Sequence, residues 1–266
     1  MELGVTNFST TIAKACHKKE ALFNESKWRY ALRATLAGAF LTLTTAVGGI
    51  AADNSMLIHP ALGKFVFAFL FAWGLVFVLF LNTELATSNM MFLTAGVYYK
   101  SINISKAVKI LLYCTLFNLV GALLIGWLAS FSVPFMSLSE SSYLVTTVAG
   151  KLAKPTGQIF VEGILANVFV NIAILGFLLI KNSSARVSVI LVAVFMFVYL
   201  GYDHVIANFG SFSLVMYNQA TLISGFDVLN ILRQWSAAFV GNYVGGGILI
   251  GLCYAYMNQT QTVYRD

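Results

Sequence analysis

The chain has 266 residues, 59% of them hydrophobic and 10% charged, with a mean hydropathy of +0.83. A soluble domain of this length carries about 25% charged residues, so the composition excludes a soluble fold and points to a polytopic membrane protein. The formal net charge of +6 is compatible with nucleic acid or anionic lipid as a partner, but the placement of the charges along the chain reads as topology and gives no nucleic-acid partner.

Residues 1–29 form a polar segment carrying Lys14, Lys18, Lys19, Lys27 and Arg29. Phe8, Ile12, Ala15 and Ala21-Leu22 make a loose helical stripe, which predicts an amphipathic cytoplasmic helix lying on the membrane face. Cys16 beside His17 reads as a surface pair and not as a metal site. Cys114 and Cys253 lie in apolar runs and read as small core residues. A mostly polar stretch of this length ahead of the first apolar run is not the pattern of a cleaved signal.

A spanning helix needs roughly 20 apolar residues. Six candidates follow, at 30–51, 61–82, 107–130, 158–181, 187–200 continuing through 207–217, and 235–257. Residues 30–257 thus form one transmembrane domain, and 258–266 a cytoplasmic C-terminal tail. The second span runs into a polar stretch from Asn82 to Asn89, and the fifth is interrupted from Gly201 to Asn208. Both read as discontinuous helices whose second halves start near Met90 and Phe209, with Asn89 and Asn208 as caps. With the N-terminus inside, twelve of the sixteen Lys and Arg residues fall on the inner side: Lys14, Lys18, Lys19, Lys27, Arg29, Arg33, Lys100, Lys106, Lys109, Lys181, Arg186 and Arg265. Lys64, Lys151, Lys154 and Arg233 fall outside. This bias predicts both termini on the cytoplasmic side of the cell membrane.

The two halves repeat. Glu84 is followed five residues later by Asn89, and Asp203 five residues later by Asn208. Asn118-Leu119-Val120-Gly121 is answered by Asn242-Tyr243-Val244-Gly245. Three spans per half invert the second half relative to the first. Inverted repeats with paired broken helices place a substrate path at the repeat interface near the midplane.

Ionisable residues at bilayer depth are expensive and mark ion or proton pathways, which singles out Asp203 and His204. Histidine exchanges a proton near neutral pH. Thr87, in the other break, offers a hydroxyl to His204 or to a passing anion. Lys151 and Lys154, in the long outer connection, attract anions if they are not simply solvated. Asn167 and Asn171, four apart on one helix face, line the path or bond between helices. Asn242 among Gly241, Gly245, Gly246 and Gly247 reads as close helix packing first and pore lining second. Enzyme chemistry has no foothold: there is no phosphate-binding loop, no ATP-binding motif and no cofactor site, and the histidines at 17, 59 and 204 fall in separate contexts.

These residues resemble the formate/nitrite transporter family of anion channels, over roughly 25–257. The stretch Gly201-Tyr202-Asp203-His204-Val205-Ile206-Ala207-Asn208 is similar to that family's glycine-aromatic-acid-histidine-serine-x-alanine-asparagine signature. Gly163-Ile164-Leu165-Ala166-Asn167 resembles its fourth-span motif, Glu84-Leu85-Ala86-Thr87-Ser88 its second-span break, and Gly241 to Gly247 its sixth-span motif. The resemblance implies an all-α, aquaporin-like protomer of six spans in inverted three-helix repeats with two broken helices, assembled as a homopentamer with one pore per protomer. It implies His204 as the central pore histidine, Thr87 as its partner, Lys151 as the vestibule lysine, and Asn167 and Asn242 as polar lining residues. It further implies that Phe71, Leu75, Leu85, Val170 and Phe197 form the apolar constrictions. The substrate expected on that likeness is a small monovalent weak-acid anion, formate or another short monocarboxylate such as lactate, moving with a proton through the histidine; nitrite and hydrosulfide are the family's alternatives. Three positions depart from the pattern. Asp203 stands where glutamate is usual and Val205 where serine is. Ala86 stands where phenylalanine is common, which is expected to widen the inner vestibule for an anion as large as lactate. A water- or glycerol-type channel, the reading of another class, lacks its Asn-Pro-Ala signals here: the matching positions are Thr87-Ser88-Asn89 and Ile206-Ala207-Asn208.

Overall fold

Capping residues punctuate the helices. Ser26 separates α1 (Phe8–Glu25) from α2 (Lys27–Met56), and its Oγ accepts the Arg29 amide at 3.2 Å. His59 and Pro60 start α3 (Pro60–Phe80); the His59 Nδ1 accepts the Ala61 amide, and a proline in the first turn gives up only an amide that lacks a helical partner. The computed structural model describes residues 8–217 and 219–259. After α3 come α4 (Ala86–Tyr98), α5 (Ile104–Ala129), a single turn α6 (Val133–Met136) and α7 (Tyr143–Ala153). The second half holds α8 (Thr156–Leu179), α9 (Ser183–Leu200), α10 (Val205–Met216) and α11 (Val228–Asn242). The last of these continues through a π-helical stretch, Tyr243–Leu252, into α12 (Cys253–Met257).

The fold is all-α, with no strand among the described residues. Six helical segments are long and apolar enough to cross a membrane: α2, α3, α5, α8, α9 and the run Val228–Met257. All six expected spans are present. The first starts three residues and the last seven residues earlier than the apolar pattern suggested, because caps and not hydropathy set their ends.

Each half is a bundle of three spans plus one short half-helix, and the half-helices reach across. α10 packs on α2 and α5 of the first half, while α4 packs on α8 and on the π-helical stretch of the second. The same close crossing occurs twice. A Cβ at Gly121 in α5 would strike the Thr35 carbonyl of α2, and a Cβ at Gly245 would strike the Ile164 carbonyl of α8. Small residues at these points let two spans approach backbone to backbone.

Three expectations need correction. The half-helices start at Ala86 and Val205, four residues before Met90 and Phe209, so Asn89 and Asn208 lie inside the first turn and are not caps. The N-terminal helix does not rest its apolar stripe on lipid: Phe8, Ile12, Cys16 and Phe23 are buried against the spans, and Cys16, not a surface residue, donates its thiol hydrogen to the Phe92 carbonyl at 3.2 Å. Burial pushes that thiol up to about 11. Cys253, expected in the core, is exposed near the end of the last span. Of the expected C-terminal tail, residues 260–266, with Arg265, lie outside the described residues.

Candidate functional site

The two breaks are built on one plan. At each, an asparagine from the third span of its own half clamps the exposed backbone. Asn118 Oδ1 accepts the Ala86 amide at 2.9 Å, while its Nδ2 donates to the carbonyls of Ala34 (2.7 Å) and Glu84 (2.9 Å). Asn242 Oδ1 accepts the Val205 amide at 2.8 Å, while its Nδ2 donates to the carbonyls of Gly163 (2.8 Å) and Asp203 (2.9 Å). A half-helix begun inside the membrane has no water for its first amides or for the carbonyls of the break, and protein groups must supply the partners. Asn242, expected as pore lining, is consumed entirely by this task.

A carboxylate stands two residues before each half-helix and is paired with lysine. Glu84 Oε2 lies 2.7 Å from Lys19 Nζ of α1, and it also accepts from Tyr30 Oη (3.0 Å) and Asn89 Nδ2 (3.1 Å). Asp203 is enclosed more completely. Its Oδ1 lies 2.7 Å from Lys151 Nζ and accepts from Gln234 Nε2 (2.8 Å) and Asn208 Nδ2 (3.0 Å), and its Oδ2 lies 2.8 Å from Lys154 Nζ. Buried charges persist where they are paired and hydrogen-bonded in this way. Both lysines of the outer connection are therefore ion-paired and not simply solvated. Burial pushes the Lys151 ammonium below its ordinary pKa, against the pull of Asp203.

Between the two clusters, the breaks meet. His204 Nε2 lies 2.7 Å from Thr87 Oγ1, and His204 Nδ1 accepts the Ala207 amide at 3.2 Å, capping α10. Because Nδ1 accepts, the ring hydrogen is assigned to Nε2, which donates to Thr87. The Thr87 hydroxyl hydrogen is then left to donate elsewhere. All five residues expected at the constrictions, Phe71, Leu75, Leu85, Val170 and Phe197, wall a single central cavity of about 10 Å³ together with His204, Leu41 and Val194. That is about the smallest volume that holds one water. On the side that the charge bias assigns to the exterior, the outer side, lies a cavity of about 370 Å³, walled in part by Lys64, Lys151, Lys154, Phe71 and Phe197. On the inner side lies one of about 440 Å³, walled in part by Lys18, Lys19, Arg33, Glu84 and Phe92. Two larger, lysine-walled cavities thus flank a narrow, mostly apolar waist with one polar pair.

Asn167 is buried and bonds between helices, donating to the carbonyls of Thr87 (3.2 Å) and Asn242 (2.7 Å), and Asn171 donates to the Asn167 carbonyl at 2.8 Å. Neither walls these three cavities; the interhelical reading fits Asn167, while the Asn171 bond stays within α8. Ala86 is fully buried and also walls none of them, so it does not widen the inner vestibule.

The family model described as Formate/nitrite transporter matches residues 7–256. The chain belongs to the formate/nitrite transporter family. Among its relatives, the nitrite transporter NirC of Escherichia coli is 28% identical over 75% of this chain and 74% of its own. A solved structure described as an FNT family ion channel superposes with a TM-score of 0.87 at 24% identity, covering 95% of this chain and 99% of that one. A pentameric formate channel solved with formate bound superposes with a TM-score of 0.71 at 19% identity, covering 88% and 98%. The fold is that of these channels. The protein is thus a multi-pass membrane transporter or channel, in a family that transports anions and does not catalyse reactions.

The outer cluster holds more than the sequence revealed. Lys154, Glu162 and Gln234, and on the inner side Lys19 and Tyr30, all join a carboxylate of the breaks or its lysine partner. Lys19 is 65 residues from Glu84, and no local pattern announces such a pair. Gln234 had no such signal either, since it precedes the expected sixth span at 235–257 and is buried only because that helix starts at Val228.

Proposed function

We propose that the protein conducts small monovalent anions of weak acids, with formate as the first choice and lactate, nitrite and hydrosulfide as rivals, and that the anion crosses the waist as the neutral acid. The observation that carries this reading is the His204–Thr87 pair set in a cavity of about 10 Å³ between two larger cavities. A bare carboxylate entering so dry a space loses its hydration at a cost of several kcal/mol, whereas a protonated acid does not. The His204 Nδ1 bond to the Ala207 amide opposes a second proton on the ring, which favours a proton taken from water as the anion leaves the lysines and enters the dry waist, where desolvation raises its pKa. Lys151 draws the anion in; Thr87 and the Nε2–H of His204 bind its oxygens at the waist; Phe71, Leu75, Leu85, Val170 and Phe197 set its size. Asp203 fixes Lys151 in place, and Asn167 and Asn242 hold the two breaks together.

The working form in this reading is a homopentamer in the cell membrane, with both termini cytoplasmic, residues 30–257 as the channel domain, and α1 over the inner mouth. The relative solved as a pentamer supports it, as does the exposed apolar row Leu112, Leu116, Val120, Leu124 and Leu128 on α5. Native mass measurement of the detergent-solubilised protein tests it; a monomer at all protein concentrations contradicts it.

Flux into liposomes tests the substrate and the proton together. Formate, lactate, nitrite and hydrosulfide are supplied at two external pH values. The expected result is formate uptake that rises as external pH falls, since the neutral fraction grows. Uptake that stays flat while the proton gradient is varied removes the neutral-acid step, and absence of flux for all four anions removes the channel reading. Unaltered formate flux in His204→Ala and His204→Asn removes the central role of the histidine.

A further inference from the structure

The outer cluster carries a second ammonium that the inner cluster lacks. Lys154 Nζ lies 2.8 Å from Asp203 Oδ2 and 3.0 Å from the Gly201 carbonyl, and it also contacts Glu162 Oε2, whose partner oxygen accepts from Gln158 Nε2 at 2.7 Å. The backbone puts it there. Lys154 ends α7 in an extended conformation, φ −62 and ψ 139, ahead of Pro155, which disfavours helix in the residue before it. Helix α8 then restarts at Thr156 and brings Glu162 back beside the lysine.

The arrangement is directional. Lys151 and Lys154 both wall the outer cavity, while Asp203 and Glu162 do not. An anion in that cavity meets the two lysine side chains, while the balancing carboxylates are not part of its wall. Two lysines against two carboxylates leave the cluster neutral. Removing the Lys154 charge alone leaves it at minus one, and removing Lys154 and Glu162 together restores neutrality. The shorter Asp203 offers its two oxygens to two different lysines, so Lys151 is not its sole partner.

We propose that Lys154 is a second anion-facing group of the outer vestibule and that Glu162 sets how strongly it acts, so that this pair fixes the external concentration at which the channel fills. The inference rests on the anion-conducting reading above. It is tested by formate uptake into liposomes at low ionic strength, measured as initial rate against external formate for wild type, Lys154→Met, Glu162→Gln and the double variant. Wild-type flux in the same preparation comes first, because its absence defeats the anion reading itself and not this pair. Given that flux, Lys154→Met is expected to raise the half-saturating concentration roughly fivefold or more, with the maximal rate less affected, and raised salt is expected to shrink the difference. The double variant is expected to recover only part of that loss, since it restores neutrality but not the anion-facing ammonium, and Glu162→Gln to fall below wild type in half-saturating concentration. A double variant as impaired as Lys154→Met shows that the lysine acts by holding the break and overturns the proposal, as does an unchanged Lys154→Met. If Lys154→Met does not fold, Glu162→Gln decides alone: an unchanged half-saturating concentration overturns it.

Discussion

The inner and outer breaks are two solutions of one structural problem, and they differ in the residue before the half-helix and in their lysines. Each has an asparagine clamp, a carboxylate two residues before the half-helix, an asparagine five residues beyond it, and a lysine on the carboxylate. The position immediately before the half-helix is Leu85 on one side and His204 on the other. Leu85 makes no side-chain cap, whereas His204 caps with Nδ1 and turns Nε2 toward Thr87. The shared parts therefore serve the architecture, and in the proposed function the difference serves the cargo. The lysines differ as well: Lys151 is tethered between spans on α7, while Lys19 comes from α1, which sits outside the six spans.

The largest effects are expected where the two breaks are alike. Asn118→Leu orphans the Ala86 amide and weakens the environment of the Glu84 carbonyl, and Asn242→Leu does the same to Val205 and Asp203. At about 1–3 kcal/mol for a buried amide left unpaired, each variant should lose about 1–3 kcal/mol from that amide alone. Thermal unfolding in detergent should show both losses at similar size. A large loss in one and none in the other breaks the equivalence of the halves.

Where the breaks differ, flux should respond far more than stability, which loses only the cap on the Ala207 amide. His204→Leu copies the inner residue into the outer break and removes the one ring hydrogen aimed at Thr87. Formate flux in liposomes is expected to fall at least about tenfold, a loss of about 1.4 kcal/mol or more in the barrier, with the melting temperature changed far less than in Asn242→Leu. The paired lysines come next. Lys151→Met should slow uptake from the outer side and Lys19→Met from the inner side, each several-fold, because each removes the charge at its own mouth. Equal effects of either variant in both directions would mean that the lysines act on the waist and not on the mouths.

The six spans, the two interruptions and the pairing of His204 with Thr87 were legible because each is a local departure from an apolar run or a motif repeated in order. The five constriction residues were legible only through the family likeness, since nothing in an apolar run distinguishes Phe71 from Phe67. What stayed hidden was long-range charge. The Lys154–Asp203 and Lys19–Glu84 pairs join residues 49 and 65 apart, and locally Lys154 reads only as an anion-attracting or solvated lysine, with no carboxylate partner in view. The half-helix starts were misplaced because Asn89 and Asn208 have capping chemistry. The actual partners of the first amides come from Asn118 and Asn242, 32 and 37 residues downstream, and these asparagines free Asn89 and Asn208 to bind the carboxylates.

The smallest effect concerns what holds the inner lysine in place. Helix α1 is fixed by packing through Ile12, Cys16 and Phe23 as well as by the Lys19–Glu84 pair, so loss of the pair should loosen α1 without releasing it. Cys16 reports on this directly. Its thiol lies against Gly96 and donates to Phe92, and burial raises its pKa from 9.0 to about 11. The docked helix therefore holds the thiol proton more tightly than the free helix does. Docking is at full strength below pH 9 and weakens as pH rises from there through 11, where the free helix ionises first. In a Cys253→Ser background, maleimide labelling of Cys16 is expected to be slow at pH 7.5, modestly faster in Lys19→Met, and faster in both as pH approaches 10 by more than thiolate formation at a free cysteine accounts for. Lys19→Met labelling as slow as wild type at every pH would show that packing alone seats α1. The inner lysine would then be as firmly placed as the outer one, and the contrast between a tethered mouth and a docked one would fail.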